Sequence, residues 1–276
     1  MKIAIIGGSG TIGENLLKKL LKTEHKIIST YSNKHNIKNN KIFWKKLDIY
    51  KNKKNFYKYL ESPDIVVNLA WPNIPNYKLK KHFKTYKYQK RFNYNLINNG
   101  LKNLIVLGTC YEYGKINNEI FENTKPKPII PYSISKLKLL EKLQNFKKRK
   151  NFKLTWLRPF FVYGLNKKRK TLFTLIKELE KNKIKKLQVS GSLIRDFISM
   201  DFLSEVIIKI INLNKGYGVV NVSTGKGISV KEFIKKNLKK KSTLKKIDMN
   251  GINKNDFEPS CFWGNNLKLK RILKKK

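Results

Sequence analysis

Ile3-Ala4-Ile5-Ile6-Gly7-Gly8-Ser9-Gly10-Thr11-Ile12-Gly13 opens the chain with an apolar run that passes directly into glycines at positions 7, 10 and 13. The run reads as a buried strand, because a strand covered on both faces needs no alternating polar residues. Gly7 allows a tight turn, Gly10 lets a ligand approach the backbone, and Gly13 lets a helix pack closely on the strand. Thr11 and Ile12 start that helix, whose N-terminus favours a negatively charged group such as a dinucleotide diphosphate. A glycine-rich turn that is merely structural is the competing reading.

Working outward, strand and helix signals alternate. Strands are expected at 26–31, 42–47, 64–70, 103–107 and 154–157, with helices at 11–21, 56–60, 82–98 and 132–149. This rhythm predicts an α/β fold, a doubly wound parallel sheet of Rossmann type with right-handed crossovers. Beyond Gly164 the rhythm loosens into helices near 171–180 and 201–211 and strands near 187–189 and 218–222. Residues 1–164 are therefore expected to form a dinucleotide-binding domain. Residues 165–276 are expected to form a smaller mixed, mainly substrate-binding region, with some segments packing back on the first. Ser229 and Glu232 have capping-box spacing for a further helix. The basic tail from Leu267 is expected to fray.

Composition narrows the classes. With 276 residues and 40% hydrophobic content the chain can bury a core, and no apolar run is long enough to span a bilayer. The N-terminus lacks a signal-peptide pattern, so the cytoplasm is expected. Cys110 and Cys261 offer neither a disulfide framework nor metal-ligand spacing. The formal net charge of +44 would ordinarily point to a polyanion. Yet only Arg91, Arg149, Arg158, Arg169, Arg195 and Arg271 are arginine, and the rest of the excess is lysine beside abundant Asn and Ile. That pattern reads as compositional drift rather than a nucleic-acid surface, which favours arginine forks. No nucleic acid and no membrane is expected as a partner.

The second expected strand ends in Ser29-Thr30-Tyr31-Ser32-Asn33-Lys34, with no carboxylate near 31–33 to accept from ribose hydroxyls. Ser32, Asn33 and Lys34 suit a 2′-phosphate, so NADP(H) is the expected coenzyme and NAD(H) the alternative. Lys34 also reads as one more surface lysine. Asp48 is placed to accept from the adenine amino group. Tyr132 and Lys136 lie four apart on one helix face. A neighbouring ammonium and a nicotinamide cation favour phenolate, which would bring Tyr132 toward neutral pH. Thr109, after the strand 103–107, can share a substrate oxygen with Tyr132, or can simply cap a turn.

These residues resemble the extended short-chain dehydrogenase/reductase family, within its NAD(P)-dependent nucleotide-sugar epimerase/dehydratase group. The resemblance runs through Gly7–Gly13, Asp48-Ile49, Asn68-Leu69-Ala70, Gly108–Gly114, Tyr132 with Lys136, Arg158-Pro159-Phe160 to Gly164, Arg195-Asp196, and Asn221 to Gly225. It implies Thr109, Tyr132 and Lys136 as the catalytic set. It implies coenzyme contacts at Ile49, Leu69, Ala70, Trp71 and Pro159, and substrate contacts at Cys110 and Phe160. Arg195 resembles the family arginine that meets the sugar nucleotide near its phosphates, and a structural ion pair is the other reading. Trp71 and Tyr111 either wall a sugar pocket or pack as buried aromatics.

Departures matter too. The 4,6-dehydratases carry Asp-Glu after the catalytic Thr, where this chain has Cys110 and Tyr111, so dehydration is not expected. The family's Asn in the helix before the 103–107 strand falls near Thr85. The resemblance is nearest to reductases of nucleotide-linked 4-keto-6-deoxyhexoses. The expected activity is therefore NADPH-dependent C4 reduction of such a nucleoside-diphosphate sugar. A 4-epimerase holding NAD+ tightly is the alternative, and a non-catalytic dinucleotide- or nucleic-acid-binding protein is the non-enzymatic reading. The helices 82–98 and 132–149 resemble those that pair in family homodimers.

Overall fold

The computed structural model describes residues 1–51, 54–165, 170–252 and 256–275. Strand β1 (Lys2–Ile6) enters the glycine turn and helix α1 (Thr11–Leu20), followed by β2 (Lys26–Tyr31), β3 (Ile42–Lys46) and α2 (Phe56–Tyr59). Then come β4 (Ile65–Asn68), α3 (Lys81–Asn98), β5 (Asn103–Leu107), β6 (Asn118–Ile120), α4 (Pro131–Lys147) and β7 (Lys153–Pro159). Pro131 opens α4 at a position where a missing N–H costs nothing.

The remainder is β8 (Phe161–Tyr163), α5 (Leu172–Glu180), β9 (Leu187–Gln188), β10 (Ile194–Arg195), β11 (Phe197–Ser199), α6 (Met200–Leu213) and β12 (Gly218–Val222). It closes with β13 (Ile228–Ser229), α7 (Val230–Asn237), β14 (Ile247–Asp248), β15 (Cys261–Gly264) and α8 (Leu267–Leu273).

The main sheet is parallel, in the order β12-β7-β5-β4-β1-β2-β3. Strand order reverses between β1 and β4, so a crevice opens beyond their C-terminal ends, where ligands of doubly wound sheets bind. Buried apolar residues cover both faces. Ile3, Ile5, Leu17 and Ile207 pack on one side, and Ala4, Val66, Phe92 and Trp156 on the other.

The later chain does two jobs. Helix α6 packs against α1, and β12 joins the main sheet beside β7, so both lie with residues 1–164. The mixed sheet β13-β10-β15-β6 and the parallel pairs β8/β11 and β9/β14 build the rim beyond the crevice. Ser229 and Glu232 close the capping box of α7. The tail differs from expectation: α8 is a helix because Leu269 and Ile272, three apart, bury against the main core. Among the described residues, no helix is long and apolar enough to cross a membrane.

Candidate active site

The glycine turn shows why side chains are excluded there. Gly7 sits at φ +84°, and its amide donates to Thr30 Oγ1 at 2.9 Å. A Cβ on Gly13 would lie 2.4 Å from the Gly7 carbonyl oxygen. One on Gly8 would lie 1.8 Å from Ser29 Oγ, a requirement the sequence spacing did not single out. Gly10 is the N-cap of α1, and the first amides of a helix have no partner within it. This cradle fits a dinucleotide diphosphate.

The crevice widens into a cavity of about 580 Å³. Of the residues expected at a site, Ile12, Leu69, Trp71, Thr109, Cys110, Tyr111, Tyr132, Lys136, Pro159, Phe160 and Arg195 all line it. Ala70 lies beside it, with its backbone against Gly7. Ser32, Asn33 and Lys34 are exposed after β2 and lie apart from the cavity lining. Asp48 is exposed, and its carboxylate accepts from the Tyr50 amide at 2.9 Å, while Ile49 is buried in the core.

The floor of the cavity is densely bonded. Lys136 Nζ donates to the Leu107 carbonyl at 2.5 Å and lies 4.0 Å from the centre of the Trp71 ring. Trp71 Nε1 donates to His82 Nδ1 at 3.1 Å, so the neutral ring of His82 carries its proton on Nε2 and donates to the Asn76 carbonyl at 3.0 Å. Burial holds His82 below its ordinary range, which keeps it neutral. Thr109 caps a short 3₁₀ turn over Cys110–Tyr113, and its Oγ1 accepts from the Tyr111 amide at 3.3 Å. That contact leaves the Thr109 hydroxyl proton for donation, and its side-chain hydrogen bond favours the charged form of Tyr132.

The electrostatics differ from the expected pairing. Lys136 stands beside Tyr132, yet burial pushes the Tyr132 phenol well above its ordinary range, and the nearby Tyr77 and Glu112 push the same way. Burial pushes Lys136 down to about 7, with Glu112 opposing. Desolvation therefore dominates at Tyr132, and the hydrogen bond from Thr109 is the contribution that opposes it. Cys110 is also kept as a thiol, because burial raises it far from neutral pH.

The far wall carries residues that sequence spacing did not reveal. Tyr111 Oη donates to Glu258 Oε1 at 2.6 Å, and Arg195 Nη2 donates to Glu258 Oε2 at 3.1 Å. Arg195 is 2% exposed, its Nη1 donates to the carbonyls of Ile194 and Ser260, and its guanidinium lies over the Phe161 ring. Phe257 packs against Tyr77 and Tyr111. Glu258 is 147 residues from Tyr111, so no local pattern announces their contact. On the floor, Gln89 was missed. It accepts from Asn68 Nδ2 at 2.8 Å and donates to the Ala70 carbonyl at 2.6 Å, fixing the end of β4. Thr85, expected near this role, instead hydrogen-bonds Tyr50 Oη at 2.9 Å. Among the described residues, no three His, Cys, Asp or Glu side chains group as metal ligands.

Residues 3–223 match the family described as the NAD dependent epimerase/dehydratase family. The chain belongs to the NAD dependent epimerase/dehydratase family. This family member is 25% identical over 270 residues to dTDP-6-deoxy-L-talose 4-dehydrogenase (NAD(+)) of Aggregatibacter actinomycetemcomitans, covering 96% of this chain and 99% of that protein. It also resembles the solved UDP-Glc/GlcNAc 4-epimerase of Campylobacter jejuni, with a TM-score of 0.78 and 25% identity over 98% of this chain and 92% of that one. The fold is likewise that of MoeE5, solved in complex with UDP-glucuronic acid and NAD, with a TM-score of 0.80 and 17% identity over 99% and 92% of the two chains.

These findings correct the coenzyme. NADP(H) was expected from Ser32, Asn33 and Lys34, but the family description, the full-length relative and the MoeE5 complex all name NAD. Residues 31–33 carry no carboxylate, but one reaches the loop that follows them from elsewhere in the fold. In the folded chain Glu14, from the first turn of α1, accepts from Asn36 Nδ2 at 2.9 Å and brings a negative charge to the same loop. Lys34 is an exposed lysine in a lysine-rich chain.

Proposed function

We propose that the chain catalyses NAD-dependent oxidation and reduction at C4 of a nucleoside-diphosphate hexose, in the form of a 4-epimerase. The observation that carries the chemistry is the convergence of Thr109, Tyr132 and Lys136 on the floor of one cavity next to the glycine cradle. Gly7, Gly10, Thr11, Ile12 and Gly13 would hold the diphosphate of NAD, with Leu69, Ala70, Trp71 and Pro159 beside the nicotinamide end. When bound, NAD supplies a hydride acceptor and donor.

Tyr132 exchanges a proton with the C4 oxygen, and the Thr109 hydroxyl donates to that oxygen. Lys136 places positive charge below it. Orientation and charge stabilisation are the two contributions such a step uses. Arg195 is assigned to the substrate diphosphate, with Glu258 exchanged for phosphate. Trp71, Tyr77 and Tyr111 offer mainly aromatic surface to the sugar. Walls of this kind hold a hexose without gripping each hydroxyl, as turning a keto-sugar over requires. The outer faces of α3 and α4 are assigned to self-association as a homodimer, which the mass of the protein in solution tests.

A second reading, a 4-dehydrogenase with exchangeable NAD, is favoured by the full-length relative that acts on a dTDP-6-deoxyhexose. Purified protein incubated with dTDP- and UDP-hexoses without added coenzyme separates the two. A C4-epimeric product, seen by NMR, and NAD released on denaturation support the epimerase. Turnover only with added NAD+, with NADH accumulating beside a keto-sugar, would transfer the assignment to a dehydrogenase. No reaction in either arm would remove C4 chemistry altogether.

A further inference from the structure

Glu112 lies beneath the proton-transfer site with none of its surface exposed. Its Oε1 accepts from the Thr109 amide at 2.9 Å and from Trp156 Nε1 at 3.0 Å. Its Oε2 accepts from Arg158 Nε at 2.7 Å and from the same indole at 3.1 Å. The capping box by itself closes a turn. A turn, however, needs neither a buried guanidinium nor an indole on its capping carboxylate. It also needs no cut-away residue, yet a Cβ on Gly108 would lie 2.2 Å from Trp156 Nε1 and 2.6 Å from Glu112 Oε1. Strands β5 and β7 are thus shaped around this one carboxylate.

We propose that Glu112 is a positioning residue: it fixes the Thr109 backbone, and with it the hydroxyl that shares the reacting oxygen with Tyr132, and its negative charge acts on Lys136. The inference rests on the reading of Thr109 and Tyr132 as the proton-transfer pair. Two effects follow from one carboxylate. With the Thr109 amide tied to Glu112 and one lone pair of Oγ1 taken by the Tyr111 amide, the hydroxyl proton is turned away from that amide and left for donation. The charge of Glu112 also supports the ammonium form of Lys136 against burial.

The groups facing this charge are Arg158 from β7, Lys136 and Tyr132 from α4, and Cys110 and Tyr113 from its own turn. Glu122 faces Tyr113, and Arg195, Asp196 and Glu258 reach Cys110 from the rim. Removing the Glu112 charge removes the attraction that opposes burial at Lys136, so its titration moves lower still.

Glu112→Gln tests the charge, and Glu112→Asp keeps the charge while shortening the reach to Thr109. Expected for Glu112→Gln is a tenfold or greater fall in kcat, a KM changed less than threefold, and a Lys136-dependent limb displaced to lower pH. Expected for Glu112→Asp is a reduced kcat with the limb in place. Because Glu112→Gln leaves a buried guanidinium unpaired, the double variant Glu112→Gln/Arg158→Met removes both charges together. Wild-type kcat and pH profile in the folded double variant would overturn the inference.

A readout free of turnover completes the experiment. Lysine Cε resonances are titrated in the NAD-loaded protein, with Lys136 assigned by its loss in Lys136→Met. A Lys136 midpoint unchanged by Glu112→Gln overturns the inference whatever the reaction is. A lowered midpoint in a protein that turns over no sugar nucleotide upholds the charge role and sinks only the reaction reading.

Discussion

The floor and the far wall of the cavity are built in different ways. On the floor, Thr109 follows β5, Tyr132 and Lys136 lie in the first turns of α4, and all three are almost wholly buried. Two sets of polar contacts back them, Glu112 with Arg158 and Trp156, and Gln89 with Asn68. On the far wall, Tyr111, Glu258 and Arg195 meet across segments far apart in sequence, and the neighbouring Lys78–Asp256 ion pair is exposed. Chemistry common to a family belongs on the rigid sheet, whereas substrate choice belongs on segments that can change without disturbing it.

Five predictions probe that division, the first aimed at the floor. Tyr132→Phe removes the hydroxyl proposed to exchange the proton while leaving the cradle untouched. Turnover should fall by about 10² or more, with the NAD content of the purified protein unchanged. Near-normal turnover would take the chemistry off the floor.

The far wall should govern binding. Arg195→Met is expected to raise KM for the sugar nucleotide by about tenfold, in keeping with loss of a charge-assisted contact, while kcat at saturation moves far less. Glu258→Gln is expected to tighten binding of the bare nucleoside diphosphate severalfold, because the guanidinium loses a competing carboxylate. If kcat falls with KM unchanged in Arg195→Met, the two regions share one task.

Lys136 offers a stability test of the floor. Its folded value of about 7 lies below the ordinary lysine value of 10.5, so the unfolded chain binds more protons between those limits. Its contribution is therefore full above the unfolded value and is lost as pH falls toward 7. Unfolding free energy should rise by about 2 kcal/mol from pH 7 to pH 9 relative to the same span in Lys136→Met. Parallel pH profiles for the two proteins, measured by urea titration, would show that Lys136 is charged throughout. The smallest effect is expected at Lys34, where Lys34→Ala should change NAD-supported turnover less than about twofold, as for an exposed charge without a buried partner.

Legibility followed the same division. Gly7–Gly13 and the consecutive apolar residues of β4 identified the sheet, since a buried parallel strand and a glycine turn both leave local signatures. Tyr132, Lys136 and Thr109 were visible through helix spacing and position after a strand. Glu112 left a local sign as well, the Thr109-x-x-Glu112 capping spacing, but nothing in it announced Arg158 or Trp156. The coenzyme was misread because a carboxylate was sought along β2, while the fold brings Glu14 to that loop from α1. The tail was misread from its lysines, although Leu269 and Ile272 had helix spacing and were destined for the core.

The sequence by itself determined the doubly wound sheet, the glycine cradle and the spacing that marks Thr109, Tyr132 and Lys136 as candidates for proton transfer. Each rests on interactions between residues near in sequence or on burial written as periodicity. Tertiary structure alone decided that burial raises the Tyr132 phenol, that Lys136 falls to about 7, and that Glu258 holds Tyr111 and Arg195. These depend on desolvation and on charges brought together across the fold, and neither quantity exists until the chain has closed around them.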